Sequence, residues 1–218
     1  MNYDGELGFA PGMSCVVGLL IAHVGAPEEA FWILVALVKR YGFRNYFEGG
    51  GEGLRIETLA FGFLLESVDS KLAKRLVRSF ALSTQLQLLI NARSQAELGV
   101  DLHTFLPSWF ATLFVIALPW DTTLRCADLF FFDRTFLFRI AFAILDLVRQ
   151  RLLDPNLSRN AAIDFLVHLP PSSLSSSLLF PTAFTLKLSD DRIRKATKRA
   201  EGVVRDGAKA AKGARGRK

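Results

Sequence analysis

Apolar residues recur along most of this chain at spacings of three and four, the period of an α-helix. In residues 134–153, Phe136, Leu137, Ile140, Ala141, Ile144, Leu145, Val148 and Leu152 fall on one side. Arg139, Asp146, Arg149 and Arg151 lie largely on the other, which predicts one amphipathic helix. Pro27-Glu28-Glu29 opens another helix, with Lys39 and Arg40 in its last turn and Gly42 just beyond. Proline and acids at the start and bases at the end suit the helix dipole and its unpaired backbone groups. Further helices are predicted over about 54–66, 70–92, 101–117 and 121–132, the last with Asp121 as N-cap. Asp154-Pro155-Asn156 ends the 134–153 helix and is placed to cap another near 157–168. No pair of strands with a hairpin signal is present, so the fold class is all-α, an irregular helical array.

Composition divides the chain. Half of the residues are hydrophobic and 19 are phenylalanine, enough for a large core. Beyond residue 169 the sequence turns to proline and serine, which predicts a linker over 170–188 with a short ordered segment. A weak helix and a disordered basic tail are expected over 189–218. The net charge of +6 belongs to that end. Residues 187–218 hold 12 of the 27 Lys/Arg and 4 of the 21 Asp/Glu, leaving the body near neutrality. A specific nucleic-acid partner for the body therefore has little electrostatic support. The tail suits a solvated extension, contact with an anionic membrane surface, or contact with RNA or a nuclear import receptor.

Two uncharged stretches, 7–27 and 102–120, reach the length of a membrane-spanning helix. The first is broken by four glycines and Pro11, the second by Pro107 and Pro119, and both read as buried helices with loops. The opening residues carry no basic n-region of a signal peptide. Cys15 and Cys126 sit in apolar surroundings and read as two buried thiols, and the expected location is cytoplasmic.

The chain is poor in recognisable catalytic constellations. His23, His103 and His168 have neither zinc-ligand spacing nor a nucleophile partner. Gly12-Met13-Ser14-Cys15 departs from a nucleophile elbow at its last position, and the glycines at 49–53 lack the Gly-Lys-Ser/Thr of a phosphate cradle. No catalytic, metal or cofactor residues are assigned.

Three blocks in fixed order carry the information. The first is Leu7-Gly8-Phe9-Ala10-Pro11-Gly12-Met13-Ser14, followed by apolar residues 16–24 and Glu29-Ala30-Phe31-Trp32. The second is Pro107-Ser108-Trp109-Phe110-Ala111-Thr112-Leu113-Phe114, with Leu118-Pro119 after it. The third is Leu124-Arg125-Cys126-Ala127-Asp128-Leu129-Phe130, followed by Phe136-Leu137-Phe138-Arg139-Ile140-Ala141. Together they resemble the later part of a TBC domain, the all-helical module of Rab GTPase-activating proteins. The resemblance spans 7–169 and extends weakly over 180–195.

The resemblance implies a Rab-family small GTPase, in its GTP-bound form, as partner in vesicle traffic, and a peripheral place on endomembranes. It implies catalysis by two inserted side chains, an arginine from an Ile-x-x-Asp-x-x-Arg motif and a glutamine from a Tyr-x-Gln motif. The arginine neutralises charge on the transferred phosphoryl group and the glutamine orients the attacking water. The glutamine motif aligns on Phe9-Ala10-Pro11, so proline stands at the glutamine position. The arginine motif belongs a few dozen residues earlier, and the first basic residue here is Lys39. The expectation is a domain incomplete at its N-terminal side that binds a GTPase through Phe9, Ala10, Pro11, Gly12 and Met13 without accelerating hydrolysis. Apolar surface is expected to be left exposed. Trp109 and Phe110 are expected in the core, and Arg125 and Asp128 in a buried or half-buried ion pair or capping contact. The alternative is a helical scaffold unrelated to GTPases.

Overall fold

The computed structural model describes residues 7–48, 51–76 and 98–215, with side chains described to residue 207. Among these residues every regular element is helical. They are α1 (Met13–Val24), α2 (Pro27–Arg40), α3 (Arg44–Phe47), α4 (Glu52–Val68), α5 (Ser70–Leu76), a 3₁₀ turn (Leu102–Thr104) and α6 (Leu106–Ala111). After them come α7 (Trp120–Phe132), α8 (Phe136–Leu147), α9 (Arg149–Leu152), α10 (Arg159–Val167), a second 3₁₀ turn (Pro171–Leu174), α11 (Ser176–Thr185) and α12 (Asp190–Arg215). Within the described residues, no helix is long and apolar enough to cross a membrane.

Helix α4 is the central rod. It packs along α12 and also meets α3, α5, α6 and the first 3₁₀ turn. Its buried residues include Thr58, Ala60, Phe61, Leu64 and Leu65. Phe61 stacks on Phe142 of α8 at a ring separation of 4.3 Å and meets Phe110 of α6 edge-on at 6.5 Å. Phe110 and Phe138 close this aromatic junction at 5.5 Å. Helix α8 is buried nearly all round, from Phe136 to Phe138 and from Ile140 to Leu145. Arg139, its half-buried charge, pairs with Asp190 at 2.7 Å and fixes the start of α12.

The predicted N-caps are replaced: α7 starts at Trp120 after Pro119, so Asp121 lies inside the first turn and does not cap the helix as expected. Asp69 precedes α5, where its carboxylate accepts the Leu72 N–H at 3.0 Å. It also receives Arg149 Nε at 2.5 Å, joining α5 to α9. Helix α10 is capped by Ser158, which accepts the Ala161 N–H, and not by the Asp154-Pro155-Asn156 turn before it.

Four expectations are corrected. The helix expected over 101–117 is a 3₁₀ turn followed by α6, which stops at Ala111. Leu113 and Phe114 then adopt left-handed conformations, with φ of 50° and 63°, and the Phe114 N–H reaches back to the Trp109 carbonyl at 2.8 Å. A left-handed residue with a side chain costs about 1–2 kcal/mol. Burying Leu113 and Phe114 returns about 1.5–3 kcal/mol each, so burial wins. The 134–153 helix divides at Val148, which lies between α8 and α9. The Pro/Ser-rich segment read mainly as a linker folds as the second 3₁₀ turn and α11, with Leu174, Leu179, Phe180 and Ala183 buried. Cys15 is half-buried and only Cys126 is buried. The helix expected over 189–205 appears in α12, whose helical path runs on to Arg215. Of the helix expected over 70–92, α5 covers the first part, and 77–92 lie outside the described residues.

Trp109 is fully buried, with its ring 4.8 Å from Phe105 and 6.1 Å from Phe114. Trp109→Ala is expected to lower stability by about 3–5 kcal/mol in urea unfolding. Phe132→Ser, at a residue 92% exposed, is expected to change it by less than about 0.5 kcal/mol. The Arg149 hydrogen bond holds the Asp69 carboxyl below its ordinary 3.8. The folded state therefore binds fewer protons than the unfolded state there, and this contribution is present above pH 3.8 and lost as pH falls through the folded value. Asp69→Asn keeps a capping oxygen and is expected to flatten the acid limb of melting temperature against pH. Asp69→Ala is expected to lose about 1 kcal/mol more with the cap.

Candidate functional site

Residues 9–13 form a turn that leads into α1. Gly12, the N-cap, has φ of +91°, where a side chain is strained. A Cβ there would meet Ala111 and Thr112 at ordinary contact distances of 3.5–3.6 Å, so the backbone angle and not the space demands glycine. The Met13 N–H donates to the Ala10 carbonyl at 3.2 Å, and the Ala10 N–H points to the Met13 sulfur at 3.4 Å. Ala10 and Met13 are buried, which anchors the turn from beneath. Pro11 is exposed, and Phe9 is 78% exposed. The turn thus presents an aromatic ring and a proline, without a side-chain hydrogen-bonding group between them.

The turn rests beside Ala111 and Thr112, at the end of α6. Trp109 and Phe110 lie behind it in the core. At the other end of α1, His23 Nε2 is 3.7 Å from the Asp128 carboxylate of α7. Helix α1 therefore runs from the second sequence block to the third.

Arg125 and Asp128 do not form the expected buried pair. Both are exposed, on the wall of an open groove of about 500 Å³ between α7 and α11. The Arg125 guanidinium lies 5.8 Å from the centroid of the Phe180 ring, and Phe180 and Phe184 supply the apolar lining. The expected exposed apolar surface includes Ile21, Phe31 and Trp32 on α1 and α2.

Sequence reasoning missed a polar cluster between α3, α4 and the start of α8, in which Tyr46 and Glu57 are buried and Arg134 is exposed. Tyr46 donates its hydroxyl to Glu57, and Arg134 Nη2 meets the other Glu57 oxygen at 2.6 Å. Burial raises the Glu57 carboxyl against the opposing pull of Arg134, and burial with the Glu57 charge holds the Tyr46 phenol well above its usual value. Gly42, at φ of +77°, lies against the Arg134 guanidinium, where a Cβ would crowd the end of that side chain. The signal was present as one acid on the apolar side of α4, in step with Leu54, Phe61 and Leu64. The cluster borders an open pocket of about 350 Å³ lined in part by α12. Burial also pushes the Cys126 thiol far up, which keeps it protonated and a poor nucleophile. Among the described residues no group of three or more His, Cys, Asp or Glu could hold a metal ion.

The sequence is similar to that of known proteins over much of its length. GTPase-activating protein GYP5 of Eremothecium gossypii is 27% identical over 164 residues, 75% of this chain and 17% of its own length. Carabin of Mus musculus is 27% identical over 193 residues, 86% of this chain and 38% of its own. TBC1 domain family member 10B of Homo sapiens is 28% identical over 144 residues, 66% of this chain and 15% of its own. The chain thus spans well under half the length of each of these relatives. The sequence pattern of the Rab-GTPase-TBC domain matches residues 1–153, and with the all-helical fold this places the chain in the Rab GTPase-activating TBC family.

Proposed function

We propose that this chain binds a Rab-family GTPase in its GTP-bound form through the 9–13 turn, and that in isolation it does not accelerate GTP hydrolysis. The observation that carries the reading is Pro11, exposed at the tip of an anchored turn where the family resemblance calls for glutamine. Orienting the attacking water takes a group that both donates and accepts hydrogen bonds, and the proline side chain does neither. Phe9 and Pro11 still offer an apolar contact of the kind that anchors interfaces. The turn keeps its shape through Gly12, Ala10 and Met13, so recognition persists without the catalytic donor. The chain then acts in vesicle traffic as a cytoplasmic binding module at endomembranes.

Single-turnover GTP hydrolysis by a panel of Rab proteins tests the negative half. Rates with and without the chain are expected to agree within about twofold, against the roughly 10³–10⁵ that an arginine finger contributes. A hundredfold stimulation would refute the proposal. Capture of Rabs loaded with GTP or GDP tests the positive half. GTP-dependent capture is expected, with Phe9→Ala weakening it about tenfold or more while leaving the melting temperature unchanged. Capture of no Rab would favour a helical scaffold with other partners.

A further inference from the structure

Helix α12 has two unlike faces. Ile193, Ala196, Ala200 and Val204 are buried, and the helix lies along α4. With that stripe turned inward, the opposite side carries Lys195, Lys198 and Arg205, all exposed. The three have no ion pair or hydrogen bond among the described residues. Neighbouring cations are engaged: Arg194 with Asp191, Arg192 with the Ser67 hydroxyl, and Arg199 4.0 Å from the centroid of the Phe63 ring. Gly202 falls within the cationic row at helical spacing, and the sequence continues that spacing with lysines at 209 and 212. After Asp206 the sequence contains no further acid.

We propose that this side of α12 is an electrostatic docking surface for a bilayer containing anionic phospholipids. The apolar stripe is already occupied by the body, so α12 does not embed in acyl chains as a free amphipathic helix does. Attraction is left to charge, which accumulates with each lysine or arginine near an anionic surface and is screened by salt. A row repeating every three to four residues along a straight rod meets a plane of headgroups at many points, and glycine lets the backbone approach closely. Nucleic acid fits less well. Residues 190–218 contain no aromatic ring on which an unpaired base could stack.

Vesicle co-sedimentation of the full chain tests the surface. Binding is expected to vesicles with about 30% phosphatidylserine and not to phosphatidylcholine alone, and to fall at least tenfold as salt rises from about 50 to 300 mM. The combined variant Lys195→Glu, Lys198→Glu, Arg205→Glu is expected to lose tenfold or more with an unchanged far-ultraviolet spectrum. Glutamines at the same positions are expected to give a smaller loss without adding negative charge beside Glu201 and Asp206. A charge-matched control on exposed positions elsewhere, Lys71→Glu, Lys74→Glu, Arg159→Glu, is expected to stay within twofold of the parent. Equal binding to neutral vesicles, an equal loss in the control, no loss in either α12 variant, or tighter binding to RNA at the same salt would each overturn the proposal.

Discussion

The contact between Phe61 and Phe142 sets the rest of the arrangement. It joins α4 to α8 through rings 4.3 Å apart, and Phe110 and Phe138 complete an aromatic junction that α6 also enters. Aromatic rings bury large areas and prefer particular offsets, so such a junction restrains direction as well as distance. With α4 and α8 set, α12 has a bed along one and a tether from Arg139 of the other. The end of α6 is placed by the same junction, and the 9–13 turn rests on that end. The exposed turn therefore inherits its position from buried rings elsewhere in the chain.

Much of the fold was legible because helix ends carry local chemistry. Pro27, the two glutamates after it, and Lys39 with Arg40 mark both ends of α2, and the structure places them there. The break after α6 was not legible, since Leu113 and Phe114 are ordinary apolar residues whose left-handed angles come from burial. Helix α11 was hidden by its serines and Pro181, although Leu179, Phe180 and Ala183 hold a helical spacing. Tertiary burial outweighed local propensity in both places.

The site shows the same division. The 9–13 turn was recognisable because its order relative to two later blocks is informative even when one residue departs from the pattern. Arg125 and Asp128 could not be assigned from spacing, because three residues apart on a helix is compatible with a pair, a cap or two solvated charges. Glu57 was visible as an acid on an apolar side, but its partners come from residues 46 and 134, far apart in sequence. Long-range polar satisfaction is what a single sequence discloses least.

The bed that α4 offers to α12 also has a consequence in time. Val68 ends α4, while Val204, the last described buried residue of α12, is made much later. At about 5–20 residues per second, a ribosome needs on the order of ten seconds to travel between them. Through that interval the side of α4 that receives α12 has no native cover. A nascent chain of this shape is therefore a client for whatever shields apolar surface during synthesis, and it completes its fold only when its most basic segment has emerged.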